Sequence, residues 1–432
     1  MEVNIIGAGL AGSEAAYQLA KRGVKVNLYE QKPLKKHEAF KTDLFAELIC
    51  SNSLRSNNIQ NGVGLLKEEM RLLDSLIMES ADKNALPAGK SLAVDRVGFS
   101  EYITGKIRSN ENITIINKEV TNIDTSVPTI ICSGPLSDGS IIDNIRELCG
   151  EDYLYFFDAI APIIKKDSID FNKAYYKSRY DDEGEGDYIN CPMSEEEFNI
   201  FYDTVINGDT INLKEMDKTF FEGCLPFEEM ARRGKKTLLF GPMKPVGLEH
   251  NGKRPFAVVQ LRKDNAIDSL YNIVGFQTHL TYGAQDKVLK TIPGLENAEV
   301  IRHGQMHRNT YINSPRVLNN NYEFRKYPNV FIAGQISGVE GYVESAGSGL
   351  YAALCMYQYL KGEIKYKLGK DTMLGAMANY ISDEHIDKLV PMNANYGLMV
   401  SNYKGKKDQK REYMANNSLN IIKVYKENIN NV

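Results

Sequence analysis

The sequence contains no tryptophan, and it lacks the cysteine patterns that mark several classes of protein. We attribute the missing tryptophan to genome composition. No two cysteines form a CxxC pair and none belongs to a Cys/His cluster, which argues against structural zinc, against a disulfide framework and for a reducing cytoplasm. We therefore expect no metal. The six scattered cysteines are Cys50, Cys132, Cys149, Cys191, Cys224 and Cys355.

Long apolar runs are also missing. No stretch reaches the roughly 18 residues that span a bilayer, and the chain starts directly with a strand-like segment, so we expect neither membrane insertion nor a signal peptide. The formal net charge of −4 shows no large basic excess, although a local basic face is enough to contact RNA phosphates. With 432 residues, 43% of them apolar, the chain has room for two domains or one large domain with an insertion.

The N-terminus carries the clearest motif. A strand, a GxGxxG turn, an alanine-rich helix and a second strand ending at Glu30 follow in the order of a dinucleotide site. Gly7 permits the tight turn, Gly9 lets a pyrophosphate approach and Gly12 lets helix and strand pack closely. Glu30 can bind a ribose, which favours FAD or NAD over NADP without choosing between them. The predicted cradle is Gly7, Ala8, Gly9, Leu10, Ala11, Gly12 and Glu30.

A second cofactor motif lies near the other end of the chain. A buried strand over 329–335 leads through a glycine-rich segment into an apolar helix that runs to Leu360. Such a helix can point its N-terminal dipole at an isoalloxazine ring, so the two motifs together favour FAD. Gln335 stands where many FAD folds carry Asp. The predicted residues of this second part are Gly334, Gln335, Gly341, Tyr342 and Ser345.

The separation of these motifs predicts an α/β protein with a Rossmann-like FAD-binding domain that is discontinuous and holds an inserted α+β domain. A polar, charged stretch near residues 173–186 marks the crossover. The predicted parts are 1–172 for the first FAD-binding segment, 173–324 for the insertion, and 325–432 for the second FAD-binding segment with the C-terminal helices.

Local patterns add three predictions. Apolar residues at helical spacing predict a helix over 63–79, and a short apolar run predicts a strand over 120–123. Ser194 with Glu197 predicts a capping box at the start of a helix.

Two cysteines stand in informative surroundings. Cys50 ends an apolar segment and precedes Ser51 and Asn52, which indicates either a loop that faces a site or a buried cysteine before a helix. Cys224 follows a glycine, and nearby cations would lower its pKa and bind phosphate. The alternative to a reactive thiol is that Cys224 is simply a small, buried hydrophobic side chain.

Several cations and one histidine are candidate ligands for a substrate. The first run is Arg232, Arg233, Lys235 and Lys236, and the second includes Lys404, Lys406 and Lys407. Each run is either a phosphate-binding strip or an ordinary solvated face. His279, just after a strand and beside Thr278, is a better ligand candidate than His250 or His303.

Motifs along nearly the whole chain resemble the bacterial folate- and FAD-dependent RNA uracil-5-methyltransferases, the TrmFO (formerly Gid) family. The motifs are residues 6–16, 48–55, 221–224, 240–247, 272–280, 307–310 and 338–345. One difference is the turn after the strand at Thr129, usually Ala-Thr-Gly-like in relatives and Cys132-Ser133-Gly134 here; the role of Cys132 stays open.

The resemblance implies that 5,10-methylenetetrahydrofolate supplies a carbon, that reduced FAD supplies electrons and that carbon 5 of a uridine in RNA is methylated. NAD(P)H would reduce the flavin. It implies Cys224 as the thiolate that adds to carbon 6 and Cys50 as the base or a second thiol, with exchanged roles possible. Tyr342 and His279 match positions near flavin and folate. Asn52 is a further substrate candidate.

The RNA target is left open by the resemblance. The T-loop uridine of tRNA is the first expectation, and a uridine of 23S rRNA is the alternative. The rival functions are a flavin oxidoreductase without an RNA substrate and a non-catalytic RNA-binding protein, and neither needs a nucleophilic cysteine. We expect a monomer or weak homo-oligomer.

Overall fold

The computed structural model describes residues 1–150, 154–179, 186–211 and 225–432. The strands are β1 (Glu2–Ile6), β2 (Lys25–Glu30), β3 (Ser53–Ser56), β4 (Ala85–Leu86), β5 (Ser91–Val94), β6 (Ile113–Asn117), β7 (Thr129–Ile131), β8 (Leu154–Ala159), β9 (Ile163–Lys165), β10 (Tyr175–Tyr176), β11 (Tyr188–Met193), β12 (Ala257–Lys263), β13 (Leu270–Ile273), β14 (Val300–Arg302), β15 (Met306–Tyr311) and β16 (Val330–Ile332). The helices are α1 (Leu10–Lys21), α2 (Gly62–Leu72), α3 (Leu76–Lys83), α4 (Arg96–Arg108), α5 (Ser140–Cys149), α6 (Glu195–Ile206), α7 (Phe227–Arg232), α8 (Lys235–Phe240), α9 (Tyr282–Lys290), α10 (Tyr342–Leu360), α11 (Met373–Ile381) and α12 (Lys410–Asn430). Short 3₁₀ turns cover Lys166–Ser168, Ser314–Arg316, Gln335–Ser337, Tyr396–Leu398 and Lys407–Gln409.

A parallel sheet joins the two ends of the chain. Its strand order is β16-β7-β1-β2-β6, and every neighbouring pair is parallel. The helices α1 and α10 pack on each other, and a Cβ at Gly349 would lie 2.2 Å from the carbonyl oxygen of Ala11. The predicted Rossmann-like α/β class is confirmed, and both predicted cofactor motifs lie in this one sheet.

A second, antiparallel sheet occupies the middle of the chain. Its order is β10-β11-β12-β13-β9-β14. Two hydrophobic cores follow the two sheets: one draws its buried residues from 3–145 and 311–429, and the other from 161–295. The domain boundaries at residues 172 and 324 stay a prediction.

The helix predicted over 63–79 is present as two helices and not as one, because the chain breaks between α2 and α3. Asp74 adopts a left-handed conformation with φ 56°. Ser75 caps α3, and its hydroxyl donates to the buried carboxylate of Glu14 at 2.7 Å. The same carboxylate also accepts the N–H of Ile77 at 2.9 Å. A long-range carboxylate therefore satisfies the new helix N-terminus, and the apolar spacing carries no trace of it.

The two other local predictions have opposite outcomes. Residues 120–123 form no strand; the N–H of Ile123 instead donates to the side-chain oxygen of Asn144 at 3.1 Å. The capping box of Ser194 and Glu197 at the start of α6 is confirmed, with both reciprocal hydrogen bonds present.

Among the residues in the four described ranges, no group of three or more His, Cys, Asp or Glu side chains is placed to hold a metal ion. Over those same ranges, no helix combines the length and the apolar character that crossing a bilayer requires.

Lys67 on α2 is fully buried, and its ammonium donates to the carbonyl oxygens of Ser56 at 2.6 Å and Arg55 at 3.2 Å. Burial, followed by the charges of Arg55 and Arg71, lowers the pKa of Lys67 to about 7. The unfolded chain then binds more protons at this residue between about pH 7 and 10.5, so the group makes the free energy of unfolding rise with pH in that window.

We expect Lys67→Met to remove that contribution. Chemical denaturation between pH 7 and 9.5 would show a slope smaller than that of the wild type by up to about 1.4 kcal/mol per pH unit. Lys25→Met, which changes an exposed lysine on β2, serves as the control and should keep the wild-type slope. Equal slopes for Lys67→Met and the wild type would contradict the shifted pKa.

Candidate functional site

A deep cleft lies where the parallel strands end. It encloses about 1380 Å³ including its open mouth, which is the position at which α/β folds bind cofactors. Eleven of the residues predicted for the site line it: Gly7, Ala8, Gly9, Leu10, Ala11, Glu30, Cys50, Gly334, Gln335, Tyr342 and Ser345. The structure thus brings the N-terminal motif, the second motif and the first cysteine loop to one place.

The three glycines of the first motif have different surroundings. Gly7 has φ +98°, and a Cβ there would lie 2.5 Å from the carbonyl oxygen of Cys132. A Cβ at Gly12 would lie 1.8 Å from the carbonyl oxygen of Gly7, so Gly12 acts behind the lining through close packing. A Cβ at Gly9 would meet no described atom within 4 Å. Gly9 therefore leaves open the space that a pyrophosphate needs, and this cradle fits a dinucleotide.

Glu30 is buried at the end of β2, and its carboxylate binds the glycine turn that contains Ala8. One carboxylate oxygen accepts the N–H of Ala8 at 2.9 Å, and the other accepts the N–H of Lys32 at 2.9 Å. Lys32 also lines the cleft, and burial lowers its pKa. Sequence reasoning missed Lys32, although its position two residues after the acid places it beside the cofactor turn.

The second motif places another helix N-terminus at the cleft. The N–H of Gly334 donates to the Ser348 hydroxyl at 2.8 Å, and the Gln335 amide donates to Glu340 at 2.6 Å. Gly341 precedes α10 with φ +109°, and a Cβ there would lie 2.3 Å from a carboxylate oxygen of Glu344. Gly341 therefore serves packing, not lining, while α1 and α10 both direct their N-terminal dipoles at the cleft.

The Cys50 loop is held from two sides. The Tyr342 hydroxyl accepts the N–H groups of Cys50 at 2.5 Å and Ser51 at 3.2 Å, and burial raises the pKa of Tyr342 well above its ordinary value. The Arg96 guanidinium donates to the carbonyl oxygens of Leu48 at 2.7 Å and Cys50 at 3.4 Å. These contacts fix the backbone that carries the Cys50 thiol into the lining of the cleft. Arg96 was not foreseen.

Asn52 lies behind this loop. It is fully buried, and its amide donates to the carbonyl oxygens of Val94 at 3.0 Å and Lys263 at 2.9 Å, while its oxygen accepts from Arg262 at 3.0 Å. All of its polar atoms are thus engaged with protein. We reassign Asn52 from substrate contact to positioning residue, because it fastens the cysteine loop to β5 and to the antiparallel sheet.

His279 lies in the chain beside Leu280, a residue of the core formed from 161–295. Its side chain is buried, its Nδ1 lies 2.5 Å from Glu228, and its backbone N–H donates to the same carboxylate at 2.6 Å. It is not among the residues that line the cofactor cleft. The structure assigns it a partner within the protein, and a contact with folate stays a prediction.

Cys224 lies outside the described residues. The cations that follow it are exposed on α7 and α8, where Arg232 pairs with Glu229 and Lys235 donates to Asn199 at 2.6 Å. Arg233 and Lys236 are exposed beside them. The C-terminal lysines, Lys404, Lys406 and Lys407, are exposed just before α12. Both runs stay predictions for RNA contact.

Cys132 also lines the cleft, but burial raises its pKa far above the ordinary value for a thiol. A thiol in that environment is a poor nucleophile.

His307 is a further lining residue of the cofactor cleft. Burial lowers its pKa to about 4, and its buried Nε2 has no hydrogen-bond partner in the described part of the chain. A neutral imidazole is thus available to a ligand. Only its place in a family-like motif could have indicated it.

Comparison with known proteins identifies the family and supports the fold. A family model described as "Glucose inhibited division protein A" matches residues 2–364. The methylenetetrahydrofolate–tRNA-(uracil-5-)-methyltransferase TrmFO of Bacillus subtilis (strain 168) is 55% identical over 99% of both chains. The chain belongs to the TrmFO family. The TrmFO of Staphylococcus aureus (strain JH9) is 56% identical, again over 99% of both chains.

Among solved structures, Aquifex aeolicus GidA in its form II crystal superposes with a TM-score of 0.73 at 17% identity. The alignment covers 99% of this chain and 73% of that one. At this identity the likeness establishes the fold that this chain shares with GidA.

We expect Tyr342→Phe to loosen the cysteine loop, because two N–H groups lose their acceptor. The free energy of unfolding should fall by about 1–3 kcal/mol, measured by chemical denaturation. Tyr359→Phe, at the far end of the same helix, is the control and should change stability less. A Tyr342→Phe protein as stable as the wild type would show that the hydroxyl does not hold the loop.

Proposed function

We propose that the protein transfers the methylene carbon of 5,10-methylenetetrahydrofolate to carbon 5 of a uridine in tRNA, most specifically the T-loop uridine. The observation that carries the proposal is the placement of the Cys50 loop in the wall of a dinucleotide cleft. A flavin oxidoreductase needs the cleft but not the cysteine. The TrmFO names of relatives at 55–56% identity support the same reaction.

FAD is the proposed cofactor, and when bound it supplies the electrons that reduce the transferred carbon to a methyl group. The Gly9 opening and the two helix N-termini would hold its phosphates and ring, and Glu30 would face its ribose. NAD(P)H is the proposed external reductant. The neutral His307 imidazole is available as a hydrogen-bond partner in the same cleft.

The chain contributes thiol and base chemistry to the uracil ring. A thiolate adds to carbon 6, which turns the ring into an enolate whose carbon 5 attacks the methylene group. A base takes the carbon 5 proton as tetrahydrofolate leaves, which produces an exocyclic methylene on the ring. That methylene would receive a hydride equivalent from the reduced cofactor as the thiolate is expelled, which completes the methyl group and restores the carbon 5–carbon 6 double bond. We assign Cys224 as the nucleophile and Cys50 as the base or second thiol, with the exchanged assignment as the alternative.

We expect Gly9→Val to fold normally and to lose its flavin, since the added side chain enters the space left for the pyrophosphate. Wild-type protein should show flavin absorbance near about 450 nm, and the variant should show little of it at an unchanged melting temperature. A glycine in open surroundings away from the cleft, Gly105 on α4, provides the control as Gly105→Ala. Full flavin content in Gly9→Val would contradict the proposed cradle.

The RNA target follows from mapping 5-methyluridine by mass spectrometry in a deletion strain. We expect loss of the T-loop modification from tRNA and its return with the wild-type gene, but not with Cys224→Ala. Loss from 23S rRNA alone would establish the alternative target. An unchanged content of 5-methyluridine in both RNA pools would contradict the proposed function.

A further inference from the structure

A second cleft of about 1200 Å³ lies beside the cofactor cleft, and Glu47 lines both. One wall comes from the loop before Cys50 and from α4, and the other from the turn between β14 and β15. It therefore lies between the parts of the chain that belong to the two cores. The proposed reaction assigns no role to the described residues that line this second cleft, apart from what they hold in place.

Arg302 lines the second cleft and carries two donors that have no partner among the described residues. Its Nε and Nη2 are buried, yet neither has a hydrogen-bond partner in the described part of the chain. Arg96, which lines the same cleft, instead donates to Asp264 at 3.0 Å. Burial lowers the pKa of Arg302, and the groups that act on it next include Arg96, Cys50 and Tyr342. The cleft therefore holds a buried guanidinium, and Arg96 connects the same cleft to the Cys50 loop.

Gln305 supplies a free acceptor in the same cleft. Its amide nitrogen donates to the Tyr282 hydroxyl at 2.6 Å, which leaves Oε1 buried without a partner among the described residues. Tyr282 is 47% exposed, and its ring lies against His303 with a 4.5 Å distance between the ring centroids. The cleft therefore combines buried donors, a buried acceptor and an exposed aromatic ring.

Unpaired buried polar groups are costly, and a ligand that pairs with them recovers that free energy. The matching ligand is planar and carries carbonyl and N–H groups side by side on one edge, as uracil does. A base has to leave its helical stack before an enzyme can act on it, so a protein pocket must receive it.

We propose that the second cleft receives the target uracil: Arg302 donates to a uracil carbonyl oxygen, Gln305 accepts the ring N–H, and Tyr282 offers a face for stacking. The inference rests on the proposed function for the identity of the base.

The test compares the binding of two synthetic tRNAs, one with the target uridine and one with an abasic ribose at that position. We expect the wild type to prefer the uridine RNA by about ten-fold. Arg302→Met and Gln305→Leu should each bring the ratio close to one while flavin content stays unchanged. Arg316→Met, which removes a cation paired with Asp387 on another surface, should keep the wild-type ratio.

Two results would overturn the pocket. One is a wild type that binds both RNAs equally. The other is an Arg302→Met or Gln305→Leu protein that binds both RNAs more weakly by the same factor, which would indicate a phosphate contact. Methylation is measured separately: an enzyme that discriminates the base but never methylates would contradict the proposed function and still support the pocket.

Discussion

The hydrogen bonds from Cys50 and Ser51 to the Tyr342 hydroxyl connect the cysteine loop to the helix α10 at the cofactor cleft. They join residues 292 positions apart and attach the cysteine loop to the first residue of α10. Because burial raises the Tyr342 pKa well above its ordinary value, the hydroxyl keeps its proton at neutral pH. The cysteine loop is therefore held by a hydroxyl that stays uncharged at neutral pH.

The remaining contacts extend this arrangement outward. Arg96 fixes the other side of the loop and is itself anchored by Asp264 from the antiparallel sheet. Asn52 and Arg262 add a second connection to that sheet. The cofactor cleft, the cysteine loop and the second cleft are thus positioned by one set of hydrogen bonds across the two cores. A change in how the cores pack would move the thiol as well as the walls of both clefts.

The sequence predicted what depends on local pattern. Glycine spacing and strand–helix order located the cofactor cradle, and the Ser194–Glu197 box located a helix start. It failed where distant residues decide the outcome. The chain breaks at Asp74, and Glu14 binds the start of the next helix. Asn52 is buried and hydrogen-bonded within the protein. Arg96, Arg302 and Gln305 acquire their roles only from the packing of the two sheets. Cys224 lies outside the described residues, so its assignment still rests on the resemblance.

In the proposed reaction, a cysteine of this protein adds to a uridine in RNA. A tRNA carrying 5-fluorouridine at the target tests this step directly, because a base cannot remove the fluorine that replaces the carbon 5 hydrogen, and the thiol adduct accumulates. Mass spectrometry of the digested complex, formed with reduced flavin and methylenetetrahydrofolate, should find the nucleotide on the peptide of Cys224, or of Cys50 if the roles are exchanged. A complex with no cysteine adduct would contradict the proposed addition of a thiol to the uridine.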